Sequence, residues 1–479
     1  MRRCDSFYGG VVLLVVPASS LLAPGCGGGG SSAPASLPFN TATSFVSSGS
    51  SSGSFAPGSV PPQLFAMHMT ARVLAPPEGS TPTIPWPSVP FTGLRLESAL
   101  VTWGGAAAPG LNPSDGVFDF SRLDAWLTKI QQEASQSPTG SYDAMYTFKV
   151  TPTWASSNPT DTDCAKKENP GGCDPPNDLS PDGTGTDQHW KDFVNAVATH
   201  THDNFPGVIR YWEIWNEPNV RKSWKGTIPQ LITMAKDATT IIKSIDPNAQ
   251  ITTPTPVFQG NQAPWQWMQQ YLPKAIAAGA SPDIVTFHGY VFNTRVEQVA
   301  SFAEGLAGVA NSVGLSSKPI WDTEAGFDPT MVPDEDDQAA FVARSYLVQW
   351  SKGVSRFYWY LWDAQGRLGW MWDVSTMTIR KPGVAYGEVY RWMVGNNMSA
   401  PCSANGSVWT CGFTRQGSSY QAQAVWDASQ SCASGSCTTS SFTPDSIYIH
   451  FKDLDGNATS LTPGAPIQIG AKPVLLENQ

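Results

Sequence analysis

The chain has 479 residues, of which 41% are hydrophobic, and a formal net charge of −10. That length is too great for one ordinary domain and suits a large barrel with an accessory domain. The acidic balance argues against a nucleic-acid partner, because no basic surface is available to release counterions from phosphates.

Arg2 and Arg3 precede an apolar run over 11–22, followed by Ala23-Pro24-Gly25-Cys26. A charged start, a short apolar stretch and a small residue before the break read as an export signal over 1–26. The run is too short, and too broken by Pro17, for a membrane span. The cysteine at the break resembles a bacterial lipoprotein lipobox, although Ala23 and Pro24 depart from its usual residues. It implies lipidation of Cys26, and plain secretion is the other reading. Residues 27–62 are Gly, Ser, Ala and Pro with few large apolar side chains, which is the composition of a disordered tether. Beyond the leader, Cys164/Cys173, Cys402/Cys411 and Cys432/Cys437 form three close sequential pairs, as local disulfides in an oxidising compartment would. None has zinc-site spacing.

From residue 63 the strand-like and helix-like segments alternate. Strands are predicted over 65–69, 94–103, 142–150, 208–215, 250–257, 283–290, 319–324 and 356–361. Helices are predicted from 121 and over 187–201, 229–245, 265–278, 296–313, 337–351 and 385–394. Ser121 and Asp124 have the spacing of a capping box for the first of them. Eight such units predict an α/β fold, a (β/α)8 TIM barrel over 63–396. After Gly395 the texture changes to short strand-like runs over 407–415, 420–427, 446–451 and 466–469, divided by Gly, Ser and Asp turns. Asp455-Gly456 is a hairpin signal, and the ligand spacing and closing Glu of an EF-hand are absent. A small C-terminal antiparallel β-sandwich over 397–479 is expected.

The fourth predicted strand runs into Trp-Glu-Ile-Trp-Asn-Glu-Pro-Asn at 212–219, and the seventh into Ile-Trp-Asp-Thr-Glu-Ala-Gly at 320–326. Proline stops the first strand, and small residues end the second. Both place a glutamate, Glu217 and Glu324, at the C-terminal rim of a barrel. At these residues the chain resembles glycoside hydrolase clan A, whose signature is Asn-Glu on strand four and Glu on strand seven. The longer string looks most like family 39. The resemblance covers about residues 65–395 and implies a retaining β-glycosidase acting on an oligo- or polysaccharide. Glu217 would be the acid/base and Glu324 the nucleophile, with the carboxyl groups about 5–5.5 Å apart and no metal or organic cofactor required.

The resemblance also implies supporting residues. Asn216 would hold the sugar 2-hydroxyl, which requires a bulge or break so that it and Glu217 both face the site. Arg95 would lie beside the nucleophile, or else in an internal salt bridge such as one to Glu213. His288 and Tyr290, two apart on one strand face, would position the nucleophile. Trp359 would form the floor under the reacting sugar, with Trp362 its rival, and Trp154 and Trp103 line outer subsites or the core. The 19 Trp offer aromatic faces for sugar rings. A transglycosylase with the same residues and a non-catalytic carbohydrate-binding surface protein are the alternatives. Intact Glu217 and Glu324 weigh against the latter.

Overall fold

The computed structural model describes residues 58–74, 84–104, 118–165, 169–291 and 293–479. The export signal, Cys26 and the tether up to residue 57 lie outside these. Val60, expected within the tether, is buried, and its N–H donates to the Asn396 carbonyl at 2.8 Å. The packed fold therefore takes up the chain slightly earlier than composition suggested.

Eight parallel strands form the barrel: β1 Phe65–Met67, β2 Gly93–Arg95, β3 Asp143–Thr147, β4 Ile209–Glu213, β5 Gln250–Thr252, β6 Val285–Phe287, β7 Ile320–Ala325 and β8 Val354–Trp359. Their order is β5-β4-β3-β2-β1-β8-β7-β6. The ring closes through single bridges between the β5 and β6 segments, Thr252 to Ile284 and Val257 to His288. Most strands are shorter than the apolar runs that encode them. β2 stops at Arg95 because residues Leu96–Ala99 turn into a 3-10 helix, which Leu100 ends at φ 60°.

The helices α1 Ser121–Gln132, α2 Gln188–Asn204, α3 Ile228–Ile245, α4 Pro264–Ala277, α5 Val299–Ser312, α6 Glu335–Ser351 and α7 Lys381–Met393 follow seven of the strands. The capping box expected at Ser121 does not form. Phe120 is the N-cap, and Asp124 instead bonds His200 of α2 at 2.6 Å. A capping box does open α3, where Thr227 and Gln230 satisfy each other's backbone N–H groups. α6 is buried along almost its whole length, as befits a helix covered on more than one side.

The second side is the C-terminal part of the chain. A six-stranded sheet runs in the order Asn397–Asn405, Val408–Thr414, Gln421–Asp427, Val474–Glu477, His450–Lys452 and Ala458–Ser460, all antiparallel. The pair Ser440–Phe442 and Ile467–Ile469 lies over a small core of Val425, Tyr448, Ile469 and Leu476. The strand at Asn397–Asn405 lacks apolar alternation and was not foreseeable from periodicity. Its irregular pairing is stapled by the Cys402–Cys411 disulfide. The other cysteines pair as their spacing suggested, Cys164–Cys173 and Cys432–Cys437. Trp426 of this sheet donates to Glu297, which also holds Arg344 of α6, so the sheet and barrel share a polar clamp.

Inside the barrel, towards the strand N-termini, Arg356 is fully buried. Asp143 takes two of its N–H groups at 3.0 and 2.6 Å, and Tyr211, Trp321 and Tyr358 lie about its guanidinium plane at 5.0–5.2 Å. Removing one member of a buried ion pair strands the other. Asp143→Ala should therefore lower the unfolding free energy by about 3–5 kcal/mol in urea titrations. A loss below about 1 kcal/mol would show that the guanidinium is solvated from below.

Candidate active site

The alternation of a β-strand sends successive side chains to opposite faces. On β4, Tyr211 and Glu213 face the barrel interior, whereas Trp212 packs on Phe148 in the helix layer. Continuation would turn Trp215 inward. Instead Trp215 packs on Trp190 of α2 and on Trp224, so the alternation slips after Glu213. Asn216 then faces the interior, and Glu217 follows with φ 49°, in the left-handed region that costs a non-glycine residue energy. The Thr255 carbonyl holds the Glu217 N–H at 2.9 Å. The local break needed to turn both residues inward is present.

β7 is broken in a comparable way. Thr323 faces inward, donating to Glu213 at 2.9 Å, and its pairing with β8 shifts between Asp322 and Ala325. The shift turns Glu324 inward as well. Asp322 secures it from behind, one carboxylate oxygen accepting both the Glu324 N–H at 3.2 Å and the Gly289 N–H at 3.0 Å. Burial pushes the Asp322 carboxyl up to about 8.

Arg95 joins the parts. Its Nε donates to Glu213 at 2.7 Å, one terminal nitrogen to Glu324 at 2.6 Å, and the other to Asn216 at 2.8 Å and to Glu213. Both readings of this residue therefore hold at once. Glu213 is fully buried and also accepts hydroxyl hydrogens from Thr147, Thr255 and Thr323. Burial alone would raise its carboxyl, but Arg95 and the Thr255 hydroxyl bring it below the ordinary value. Tyr290 donates to the second oxygen of Glu324 at 2.9 Å. His288 differs from its expected part. Its Nδ1 lies 3.0 Å from Glu217, and only its Nε2 approaches Glu324, at 3.9 Å.

Among the described residues, no guanidinium is bonded to Glu217. Burial pushes its carboxyl up to about 7, against the weaker pull of Arg95 and Lys149. His288 beside it is pushed down to about 4 by burial, with the Glu324 charge acting in the opposite direction, so it is a neutral ring at neutral pH. One oxygen of Glu217, one of Glu324 and a nitrogen of His288 all lie within 4.8 Å of one another. Arg95 and Tyr290 already occupy the two Glu324 oxygens, so the set is arranged to hold protons. The site thus presents one proton-holding carboxyl facing one guanidinium-bound carboxylate.

Trp359 is misplaced in the reading from sequence. It points out of the barrel, its indole N–H bonded to the Gly369 carbonyl at 2.7 Å and its ring among Phe327, Phe341 and Phe357. Trp362 stacks on Trp372 in the same buried cluster. The aromatic residue at the site is Tyr360, one position on from Trp359, with its ring 5.0 Å from His68 and 6.4 Å from Tyr290. Arg356 and Tyr358 face inward, so period-two counting along β8 gives Tyr360 directly. Trp103 is core, stacked on Phe193. Trp154 is half-buried just after β3, edge-on to His189 of α2. His68, Glu97 and Lys149 also reach the site and were not singled out from the sequence. Glu97 was read as mid-strand, but the 3-10 turn carries it to the rim.

The family model for cellulase, glycosyl hydrolase family 5, matches residues 168–365, a stretch containing both glutamates. A β-xylosidase from Geobacillus stearothermophilus is 29% identical over 106 residues, 21% of this chain. The match spans only 20% of that relative's length. Among solved structures, a glucosidase from Croceicoccus marinus aligns with TM-score 0.57 at 14% identity, covering 88% of this chain and 96% of that one. A GH39 β-xylosidase from Caulobacter crescentus aligns with TM-score 0.52 at 12% identity, covering 88% and 98%. Over residues 168–365 the chain is thus similar to glycosyl hydrolase family 5, and its fold is that of the glycosidase barrels.

The raised Glu217 carboxyl has a consequence for stability. Its folded value of about 7 exceeds the ordinary 4.5, so the folded state binds that proton more tightly than the unfolded state. Stability is lost as pH rises through this window. Glu217→Gln, which cannot ionise, should melt at a higher temperature than the parent at about pH 8, with the gap closing near pH 4. Equal melting differences at both pH values would contradict the raised carboxyl.

Proposed function

We propose that the protein is a retaining β-glycosidase in which Glu217 is the acid/base and Glu324 the nucleophile. The observation that carries this reading is the close approach of the two side chains, with oxygens within 4.8 Å. Retaining enzymes hold their carboxyl groups about 5–5.5 Å apart, whereas inverting enzymes leave about 6.5–9.5 Å for a water. The raised Glu217 carboxyl supplies the second requirement, an acid that still holds a proton near neutral pH.

In the first step Glu217 gives its proton to the glycosidic oxygen as a Glu324 oxygen bonds to the anomeric carbon, and the aglycone leaves. In the second, Glu217 takes a proton from water. The water oxygen attacks the anomeric carbon from the face the aglycone left, and the Glu324–glycosyl bond breaks. Two inversions retain the configuration. Arg95 and Tyr290 receive the charge that returns to Glu324. Asn216 has its oxygen bonded to Arg95, which leaves its amide N–H groups to hold a sugar 2-hydroxyl. His288 orients the Glu217 carboxyl. Trp154 is assigned to an outer subsite.

The three disulfides accord with an exported protein. The leader and Cys26 extend that reading to a lipid anchor in the cell envelope, the only membrane contact proposed. The similar β-xylosidase and glucosidase put xylosides and glucosides, in their β forms on the retaining reading above, first among substrates to try.

Glu324→Ala should reduce turnover of aryl β-glycosides by at least about 10³-fold, and added azide should restore a product of inverted anomeric configuration by NMR. Rescue at position 217 would instead exchange the two roles, and unchanged activity in both variants would end the reading. Adding an alcohol or sugar acceptor to the parent distinguishes transglycosylation, since glycosylated acceptor would then exceed free sugar.

The kcat/KM profile should fall on its basic side near pH 7, where Glu217 loses its proton. In Glu217→Gln that limb should vanish when the leaving group needs no protonation. A limb that stays in place would transfer it to another group.

A further inference from the structure

Three side chains near Glu324 have no part in the bond-breaking step. His68 follows β1 and is fully buried. Its Nε2 lies 2.8 Å from the Thr323 carbonyl, which can only accept, so that nitrogen carries the hydrogen. Burial first, and Arg95 second, hold the ring neutral. The other nitrogen, Nδ1, is therefore a bare acceptor, and it has no hydrogen-bond partner among the described residues. Glu97, on the turn after β2, is salt-bridged to Lys149, just beyond β3, and accepts from Ser98 at 2.7 Å. The side chains of Glu97 and Lys149 are 11% and 13% exposed, so both reach the surface of the site without lying open to solvent. One oxygen of Glu97, one of Glu324 and a ring nitrogen of His68 lie within 4.8 Å of one another.

An unmet buried acceptor costs free energy unless something fills it. The set offers a neutral nitrogen acceptor, a carboxylate acceptor and an ammonium donor on one side of the nucleophile. Hydroxyl groups satisfy such a set, since each donates one hydrogen and accepts another. A ligand carboxylate does not. Glu97, Glu213 and Glu324 are three acidic side chains, and the two cations among them, Arg95 and Lys149, are already bonded to them.

We propose that His68, Glu97 and Lys149 form the subsite that selects the glycone, and that it takes a neutral sugar through hydroxyl groups remote from the anomeric carbon. The subsite rests on the glycosidase reading above for the orientation of the sugar. Glu97 and Lys149 are binding residues here, and neither exchanges a proton with the glycosidic bond.

The test uses para-nitrophenyl β-xyloside and β-glucoside, their monodeoxy analogues, the corresponding β-glucuronide and the free sugars, with the whole chain and with Glu97→Gln and Lys149→Met. Deoxygenation at the hydroxyl read by Glu97 should lower kcat/KM in the parent by about 10- to 100-fold, the range for a hydrogen bond to a charged group. Glu97→Gln should impose a similar loss on the full substrate and little more on that analogue. Lys149→Met should behave likewise, and the glucuronide should not be turned over. Equal losses on full and deoxy substrates, with unchanged melting, would mark the pair as an internal salt bridge and overturn the subsite.

Turnover of the glucuronide above the neutral glycosides would overturn it too. So would loss of activity with EDTA restored by a divalent cation, because the same atoms would then be ligands. Calorimetric binding of the free sugars separates the two proposals. Glu97-dependent binding without turnover would sink the glycosidase and leave the subsite, turnover with additive variants would sink only the subsite, and neither binding nor turnover would sink both.

Discussion

The site depends on one guanidinium. Arg95 is buried at the end of β2 with carboxylates on two sides, Glu213 from β4 and Glu324 from β7. A single cation could not hold two buried carboxylates cheaply, and the structure does not ask it to. Glu213 gathers three hydroxyl donors besides Arg95, and Glu324 gathers Tyr290. With those bonds met, the cluster is one polar network drawn from β2, β3, β4 and β7 and from the segments that follow β5 and β6, and its members lock one another in place. Glu217 stands just outside the network, next to a neutral histidine. Burial raises the Glu217 carboxyl, and the Arg95 charge only partly opposes it. Glu324 is bonded to the guanidinium, and Glu217 is not.

Geometry obtains this asymmetry by breaking strand alternation twice. A regular β4 would point Trp215 inward, and a regular β7 would point Glu324 at the helix layer. Each slip leaves backbone groups to be satisfied, and each finds a specific acceptor. The Glu217 N–H goes to the Thr255 carbonyl and the Glu324 N–H to the Asp322 side chain. Asp322 also takes the Gly289 N–H, between His288 and Tyr290, so one buried carboxyl fixes Glu324 and its hydrogen-bond donor Tyr290 together. Gly289 cannot be larger, since a Cβ there would meet an Asp322 oxygen at 2.1 Å. The glycine in His288-Gly289-Tyr290 is thus a packing requirement of the clamp behind the site.

Much of this was legible in the sequence, for reasons that differ by residue. The barrel follows from apolar runs and helix stripes, which are local and periodic. Glu217 and Glu324 are legible because chemistry places them where a strand must stop, at Pro218 and at Ala325-Gly326. Trp359 was misread because residue type was matched without counting faces. Arg356, a charge in an apolar strand, already fixed the inward parity as 356, 358 and 360. Glu97 was hidden by a different cause. Its apolar neighbours suggest a strand through Trp103, and only tertiary packing ends β2 at Arg95 and coils the next four residues. The strand at Asn397–Asn405 carries no pattern at all, being shaped by its disulfide and its partner strand.

The C-terminal sheet bears on the same centre from the far side of the helix layer. Trp426 and Arg344 converge on Glu297, in the 3-10 turn that precedes α5 and follows the segment carrying His288 and Tyr290. Cys432 and Lys472 reach Asp337 and Asp336 at the start of α6, the helix that follows the Glu324 strand. The sheet therefore braces the two βα units that deliver Glu324 and its donor Tyr290, and it contributes none of the site residues described. A helix buried on both sides, as α6 is, cannot shift without unpacking one of its partners. That is reason enough for a catalytic barrel to carry such a sheet: the close approach of two carboxyl groups, oxygens within 4.8 Å, has to survive thermal motion, and the elements beneath them are held from outside as well as from within.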